Sequence, residues 1–301
     1  MELITELPAR LRVETAVALG FFDGVHLGHR AVLAAAQEQG LSPIAFTFST
    51  ALRAPGGKAG GRIYTDKQRV QLLGECGVQT VVMPDFSEIA DMAPEAFADF
   101  LCSGLRARLV ACGEDYRFSA GARADALQLR RLCEERGCRV KIVLPVLAEG
   151  DRVSSTCIRQ LLREGKIERA NRLLGAPYRI EERVEHGRRL GRTLGFPTLN
   201  QPLPEEGALP LYGVYASRAW IEGRWQEGIT NIGVRPTVSR SFSPRAETFL
   251  IGYSGDLYGK AVQVQLLGFL RPERRFDDIE ALRAQILADC RAREDWQPAG
   301  W

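Results

Sequence analysis

The run Val17-Ala18-Leu19-Gly20-Phe21-Phe22-Asp23-Gly24-Val25-His26-Leu27-Gly28-His29 constrains this chain more than any other. Its apolar start reads as a buried strand, its glycines as a turn, and its continuation Arg30-Ala31-Val32-Leu33-Ala34-Ala35-Ala36 as the start of a helix. A strand-to-helix turn aims free backbone N–H groups and the positive end of the helix dipole at one point, which suits a phosphate. Two of the three histidines, His26 and His29, sit at that point, and the third is His186. A His-x-Gly-His turn can hydrogen-bond a phosphate whose charge grows during displacement, while Gly28 lets the backbone approach closely. That is the logic of nucleotidyl transfer.

Three blander readings compete. Histidines at a helix start can be caps or satisfied core groups. A closed zinc site needs further His or Cys ligands, and none lies nearby in sequence. A dinucleotide site needs Gly-x-Gly-x-x-Gly and a later ribose-binding acid, both of which are missing.

At 301 residues the chain is long enough for two domains, each with its own core. A formal charge of +3 is too small to argue for nucleic acid or an anionic membrane. Of the 40 basic residues 35 are arginine, which suits phosphate oxygens but also follows from a GC-rich genome. Seven cysteines without a Cys-x-x-Cys pair read as reduced, mostly buried thiols. Residues 1–12 lack the apolar core of a signal peptide, and no run approaches the roughly 18 to 20 apolar residues of a membrane span. The expectation is a cytoplasmic protein.

Strand-like runs at Leu41–Phe48, Thr80–Pro84, Leu109–Cys112 and Val140–Val146 alternate with helical stretches at Thr65–Leu73, Ala93–Cys102 and Ala126–Arg136. Short apolar strands alternating with helices imply an α/β domain with a parallel sheet covered on both faces, and ligands beyond the carboxyl ends of its strands. The loop Gly113-Glu114-Asp115-Tyr116-Arg117-Phe118 leaves a strand at that edge. Ser154-Ser155-Thr156 caps a helix carrying Arg159 on its first turn, either simple caps or a second anion site. Helices over Ser155–Gly165 and Ile167–Gly175 close this half. After Gly175-Ala176-Pro177 the text turns to β, with strands at Tyr178–Glu185, Gly213–Ile221, Gln226–Ile232, Ala246–Tyr253 and Lys260–Leu270. This spacing suggests a small antiparallel barrel, ended by a helix with Ile279, Leu282, Ile286 and Cys290 on one face. The loop His186–Asn200 is basic and glycine-rich; within it Thr198 and Asn200 offer two neutral oxygens that suit magnesium, or belong to a plain turn. Glu247 opens a strand, as a solvent-facing carboxylate or a general base.

In this order the motifs resemble those of the bacterial bifunctional riboflavin kinase/FAD synthetase (FMN adenylyltransferase) family. The ordered set is Gly20–His29, Gly113–Phe118, Val153–Arg159, Leu190–Asn200, Gly213-Val214-Tyr215-Ala216, Asn231–Thr237, Glu247 and Asp256-Leu257-Tyr258-Gly259. The resemblance implies a Rossmann-like nucleotidyltransferase domain over residues 1–177 and a riboflavin kinase-like β-barrel over 178–301. Riboflavin would be phosphorylated by ATP to FMN in the barrel, and FMN adenylylated by a second ATP in the first domain, giving FAD and pyrophosphate. His26 and His29 would stabilise the α-phosphate, with Gly20, Phe21, Asp23, Gly24, Gly28, Ser155, Thr156 and Arg159 around the ATP. Asp115 would lie on the flavin side. In the barrel Gly191, Gly195 and Pro197 would wrap ATP, Thr198 and Asn200 would hold Mg2+ with it, and Glu247 would take the proton of the ribityl hydroxyl. The implied partners are riboflavin, FMN and ATP, with neither nucleic acid nor membrane, and a homo-oligomer is allowed.

The chain departs from the family pattern in four places. Phe48-Ser49-Thr50-Ala51-Leu52 replaces Phe-x-Pro-His-Pro, Ser119 and Glu182 replace glycines, and Phe249 replaces a histidine. The alternatives are a riboflavin kinase with a degenerate first domain, a transferase of single activity, and a non-catalytic flavin sensor or RNA-binding regulator.

Overall fold

A computed structural model describes residues 1–49, 61–187, 195–204, 207–236 and 242–297. Contacts group them into two compact units, one of residues 1–59 and 64–155, the other of 60–63 and 156–301.

The first unit is built on a six-stranded parallel sheet. Its strands are β1 (Glu2–Ile4), β2 (Thr15–Leu19), β3 (Ser42–Phe46), β4 (Thr80–Val82), β5 (Ala107–Gly113) and β6 (Arg139–Val143), in the order β1-β4-β3-β2-β5-β6. Every residue of β2 is buried, as a strand covered on both faces requires. Helices α1 (Leu27–Ala35), α2 (Asp66–Glu75), α3 (Pro94–Asp99) and α4 (Ala126–Glu134) alternate with the strands. Thr65 starts α2 with a capping box, its side chain accepting from Gln68 N while the Gln68 side chain accepts from Thr65 N. The chain runs from β2 out through β3 to one side and returns to β5 on the other. The order therefore reverses between β2 and β5, and a crevice opens beyond their carboxyl ends. The turn after β2 and the loop after Gly113 both leave from that edge.

The second unit begins at Thr156, within α5 (Ser155–Arg163), and continues through α6 (Ile167–Leu174). Its antiparallel sheet comprises β7 (Tyr178–Arg183), β8 (Thr198–Pro202), β9 (Gly213–Ile221), β10 (Arg224–Pro236), β11 (Phe242–Leu250) and β12 (Ala261–Pro272), in the order β7-β12-β9-β10-β11-β8. The sheet curls until its end strands approach: Glu185 N donates to Asn200 O at 2.8 Å, and Gln201 Nε2 donates to Glu182 O at 2.7 Å. Buried hydroxyls of Ser217, Thr230 and Thr248 link β9, β10 and β11 inside. The closing helix α7 (Ile279–Asp295) packs on this sheet through Cys290 and Ile286, while its first residue Ile279 stands exposed. Arg293 of α7 is buried and donates to Ser217 O.

Two strands of the six-stranded sheets are absent from the sequence reading. Glu2–Ile4 adds to the parallel sheet beside Thr80–Val82, and Thr198–Pro202 is a strand rather than part of a loop. Both are short and carry little apolar pattern, so pairing decides them. No disulfide joins any of the seven cysteines, four of which are buried.

Candidate functional site

The turn after β2 is held in a conformation that side chains rarely adopt. Phe22 has φ +55°, Gly24 +88° and Val25 +42°, so two of its three left-handed residues carry side chains. Such backbone persists where its surroundings over-determine it, which is common at ligand sites. The fastenings are visible: Phe21 O accepts from Thr47 Oγ1 at 3.1 Å and Arg69 Nη1 at 2.9 Å, and Asp23 O accepts from Ser155 Oγ at 2.8 Å. The turn delivers the chain into α1 with His26 as its cap, His26 Nδ1 accepting from His29 N at 3.3 Å. A neutral His26 then carries its proton on Nε2.

The two imidazoles stack with centroids 3.6 Å apart and planes 15° from parallel, and Phe22 meets His29 edge-on. A methyl at Gly28 would fall 3.2 Å from the His26 ring and 3.6 Å from Val153 O, so glycine here is a matter of space. Burial, then the neighbouring His26 and Arg69, hold the His29 pKa well below its ordinary value, so the ring is neutral at neutral pH. Its Nδ1 is buried and meets no hydrogen-bond partner among the described residues. A buried ring nitrogen left open beside a helix N-terminus is equipped to serve an anion. The structure thus brings Gly20, Phe21, Asp23, Gly24, Gly28, His26, His29 and Ser155 into one assembly within the first unit.

Asp115 stands in the loop after β5, mostly exposed, with its Oδ2 accepting from Arg152 Nη2 at 2.8 Å. Gly113 leaves room for it, since a methyl there would lie 3.0 Å from Asp115 Oδ1. Thr156 and Arg159 belong to the second unit, where Arg159 is buried and its Nη2 donates to Thr156 Oγ1 at 3.2 Å.

In the curled sheet, register places Glu247 of β11 opposite Asn200 of β8 on one side and Asn231 of β10 on the other. A carboxylate and two amides thus form a row across three strands. Glu247 lies inside its strand and does not open it, because β11 begins at Phe242. Asn200 is buried, its Nδ2 lying 3.2 Å from Thr198 O and 3.3 Å from Thr198 Oγ1. With the amide nitrogen so engaged, Asn200 Oδ1 and the Thr198 hydroxyl are the hard neutral oxygens for a cation. Gly187 passes so close that a methyl on it would fall 2.6 Å from the Asn200 amide. Among the described residues no group of three or more His, Cys, Asp or Glu could hold a metal by itself. Gly195 (φ +85°), buried Phe196 and Pro197 lead into β8, whereas Gly191 lies outside the described residues, as do Thr50, Ala51 and Leu52. Phe249 packs edge-on against Phe196 at 5.2 Å and pairs with Thr198.

Two members of these sites were given no role of their own in the sequence reading. Asn231 becomes significant only through strand register. Arg69 did carry a signal, for it falls with Leu72 and Leu73 on the apolar face of α2.

The profile described as FAD synthetase matches residues 9–157, and the one described as Riboflavin kinase matches 174–297. A bifunctional riboflavin kinase/FMN adenylyltransferase of Escherichia coli K12 is 37% identical over 91% of this chain and 90% of its own length. One of Listeria monocytogenes is 31% identical over 92% and 90%. A solved structure described as a macrolide-efflux protein of Streptococcus pneumoniae superposes with a TM-score of 0.87 at 28% identity, covering 99% of this chain and 100% of that one. No helix of the described residues is long and apolar enough to cross a membrane.

Proposed function

We propose, for a chain that belongs to the bifunctional riboflavin kinase/FMN adenylyltransferase family, that its two phosphate-handling assemblies each perform one of the family's reactions. The enzyme phosphorylates riboflavin to FMN with ATP and adenylylates FMN to FAD with a second ATP, releasing pyrophosphate. We assign adenylyl transfer to residues 1–177 and the kinase to 178–301. The observation that carries the first assignment is the stacked histidine pair at the capped start of α1, with His29 neutral and its Nδ1 buried and unpartnered among the described residues.

In the first site the FMN phosphate attacks the α-phosphorus of ATP and pyrophosphate leaves. No covalent intermediate is required, so the residues' work is positioning and charge stabilisation. Gly20, Phe21, Asp23, Gly24 and Gly28 shape the backbone around the nucleotide. His26 and His29 hydrogen-bond the α-phosphoryl oxygens as charge accumulates there. Ser155, Thr156 and Arg159 hold the remaining phosphates, and Asp115 faces the flavin nucleotide.

In the barrel Glu247 accepts the proton of the ribityl 5′-hydroxyl as its oxygen attacks the γ-phosphate. Asn231 and Asn200 flank that carboxylate in the row. Gly191, Gly195 and Pro197 form the loop over the ATP. A family that uses ATP in both steps calls for a divalent cation, and we assign Mg2+ to Thr198 Oγ1 and Asn200 Oδ1. Two neutral oxygens suit an ion that keeps its waters and the phosphates as its other ligands. When bound it neutralises phosphate charge. We further place the enzyme in the cytoplasm, without nucleic acid as a partner and free to form a homo-oligomer.

The test is chromatography of the full chain incubated with riboflavin, ATP and magnesium. FMN should rise and give way to FAD. His29→Ala should stop at FMN, and Glu247→Gln should make no FMN yet convert supplied FMN to FAD. Loss of both reactions in either variant would overturn the division of labour.

A further inference from the structure

Arg69 is wholly buried, with 0% of its side chain accessible. Burying a guanidinium is costly unless its donors are used. Here Nη1 donates to Phe21 O and Nη2 to Phe48 O, both at 2.9 Å, and Asp66 Oδ1 lies 3.4 Å from Nη2. The guanidinium also sits 4.5 Å over the Phe21 ring, which stacks on Phe48 at 5.0 Å. One side chain on α2 thus ties the turn after β2 to the end of β3. Neither Phe21 nor Phe48 continues a strand, so these carbonyls have no ladder partner to fix them.

In a trans peptide the carbonyl and the following N–H point in opposite directions. Fixing Phe21 O toward Arg69 and Thr47 therefore sets the orientation of the whole Phe21–Phe22 peptide, and Phe22 itself is fully buried. Phe22 is the first left-handed residue of the turn. A strained backbone held by two independent hydrogen bonds to one carbonyl is a preorganised support for the turn that follows it.

We propose that Arg69 is a positioning residue for adenylyl transfer, acting through the Phe21 carbonyl, with Thr47 as its second fastening, to hold the left-handed turn that delivers His26 and His29 to the nucleotide phosphates. The inference rests on assigning the Gly20–His29 turn to that reaction. Arg69 does not itself touch substrate: both terminal nitrogens are committed to backbone. Lysine cannot replace it, because one ammonium on a flexible stem cannot span two carbonyls in a fixed fork.

The experiment measures FAD formation from FMN and FMN formation from riboflavin in the same full-length variants, well below their melting temperatures. Misplacing a reacting group by about 1 Å costs on the order of 100-fold, so Arg69→Met should lose about that in synthetase kcat/KM, mostly in kcat. Arg69→Lys should lose about tenfold, and Thr47→Val, nearly isosteric, about fivefold, the worth of one hydrogen bond. Kinase turnover should stay within about twofold in all three, which a general loss of folding would not allow. Should Arg69→Met fail to fold, the other two variants decide. Wild-type synthetase kinetics in Arg69→Lys and Thr47→Val, or equal loss of both activities, overturns the proposal. If His29→Ala still makes FAD, the assignment of the turn is what has failed, a different result from silent Arg69 and Thr47 variants.

Discussion

Thr230→Val in the barrel tests how the row of Asn200, Glu247 and Asn231 is stiffened from below. Thr230 Oγ1 donates to Ser217 Oγ at 2.8 Å, and a hydroxyl has one proton, so at the 2.8 Å contact with Thr248 Oγ1 it is Thr248 that donates. All three side chains are fully buried. Valine keeps the shape of threonine and opens no cavity. It leaves the Thr248 donor and the Ser217 acceptor without Thr230, each orphan costing about 1–3 kcal/mol, so about 3 kcal/mol is expected in total. For a unit of this size that lowers the melting temperature by roughly 6–12 °C. Thr230 adjoins Asn231 and Thr248 adjoins Glu247, so riboflavin phosphorylation should also slow. Replacing all three, Ser217→Ala with Thr230→Val and Thr248→Val, removes the orphans along with the bonds. That variant should be more stable than Thr230→Val alone. Calorimetry of the full chain, read beside kinase turnover, checks both. A melting temperature for Thr230→Val within about 2 °C of wild type, or a triple variant less stable than the single, would refute the reasoning.

Gly28→Ala places a methyl 3.2 Å from the His26 ring and should cut FAD synthesis by about 10- to 100-fold while sparing riboflavin phosphorylation, measured side by side. His29 is held neutral in the fold but titrates near 6.5 when unfolded. The unfolded chain therefore binds the extra proton, and stability should fall as pH drops below about 6.5, by at most about 1.4 kcal/mol per pH unit. Urea midpoints from pH 8 down to 5 should show that slope, and His29→Gln should flatten it. Asp115→Asn should leave the melting temperature unchanged, because an exposed pair with Arg152 contributes about 0–1 kcal/mol, yet raise the KM for FMN in the synthetase assay.

Much of this architecture was legible in the residues. Apolar runs such as Val17-Ala18-Leu19 and Leu109-Val110-Ala111-Cys112 allow little but buried parallel strands, and the glycines of Gly20–His29 announce the turn between β2 and α1. What escaped depends on pairing partners far away in the chain. Thr198–Pro202 has no alternation to announce a strand, since Asn200 and Gln201 are both buried: Gln201 donates to Glu182 O and Val262 O, and Asn200 lies beside Thr198. Glu247 looked like a strand opening because the residues before it are polar, whereas pairing with β10 extends β11 back to Phe242. The role of Asn231 exists only in register, and that of Arg69 only in which carbonyls lie above it.

The helices α5 and α6 set where a kinase can begin as a polypeptide. Every residue assigned to riboflavin phosphorylation follows Tyr178, yet the barrel leans on what precedes it. Asn171 of α6 is fully buried, donating to Leu266 O at 2.8 Å and accepting from Tyr178 N at 2.7 Å, with Ile167, Ala170, Leu173 and Leu174 buried around it. Even Arg62 is recruited, its carbonyl accepting from Ala208 N at 2.8 Å. A gene cut at the chemical boundary would yield a barrel with an apolar flank laid bare and two backbone groups stranded. The module assigned to the kinase reaction is therefore shorter than the heritable one, and any fusion or fission that passes the kinase on must carry two helices assigned no part in riboflavin phosphorylation.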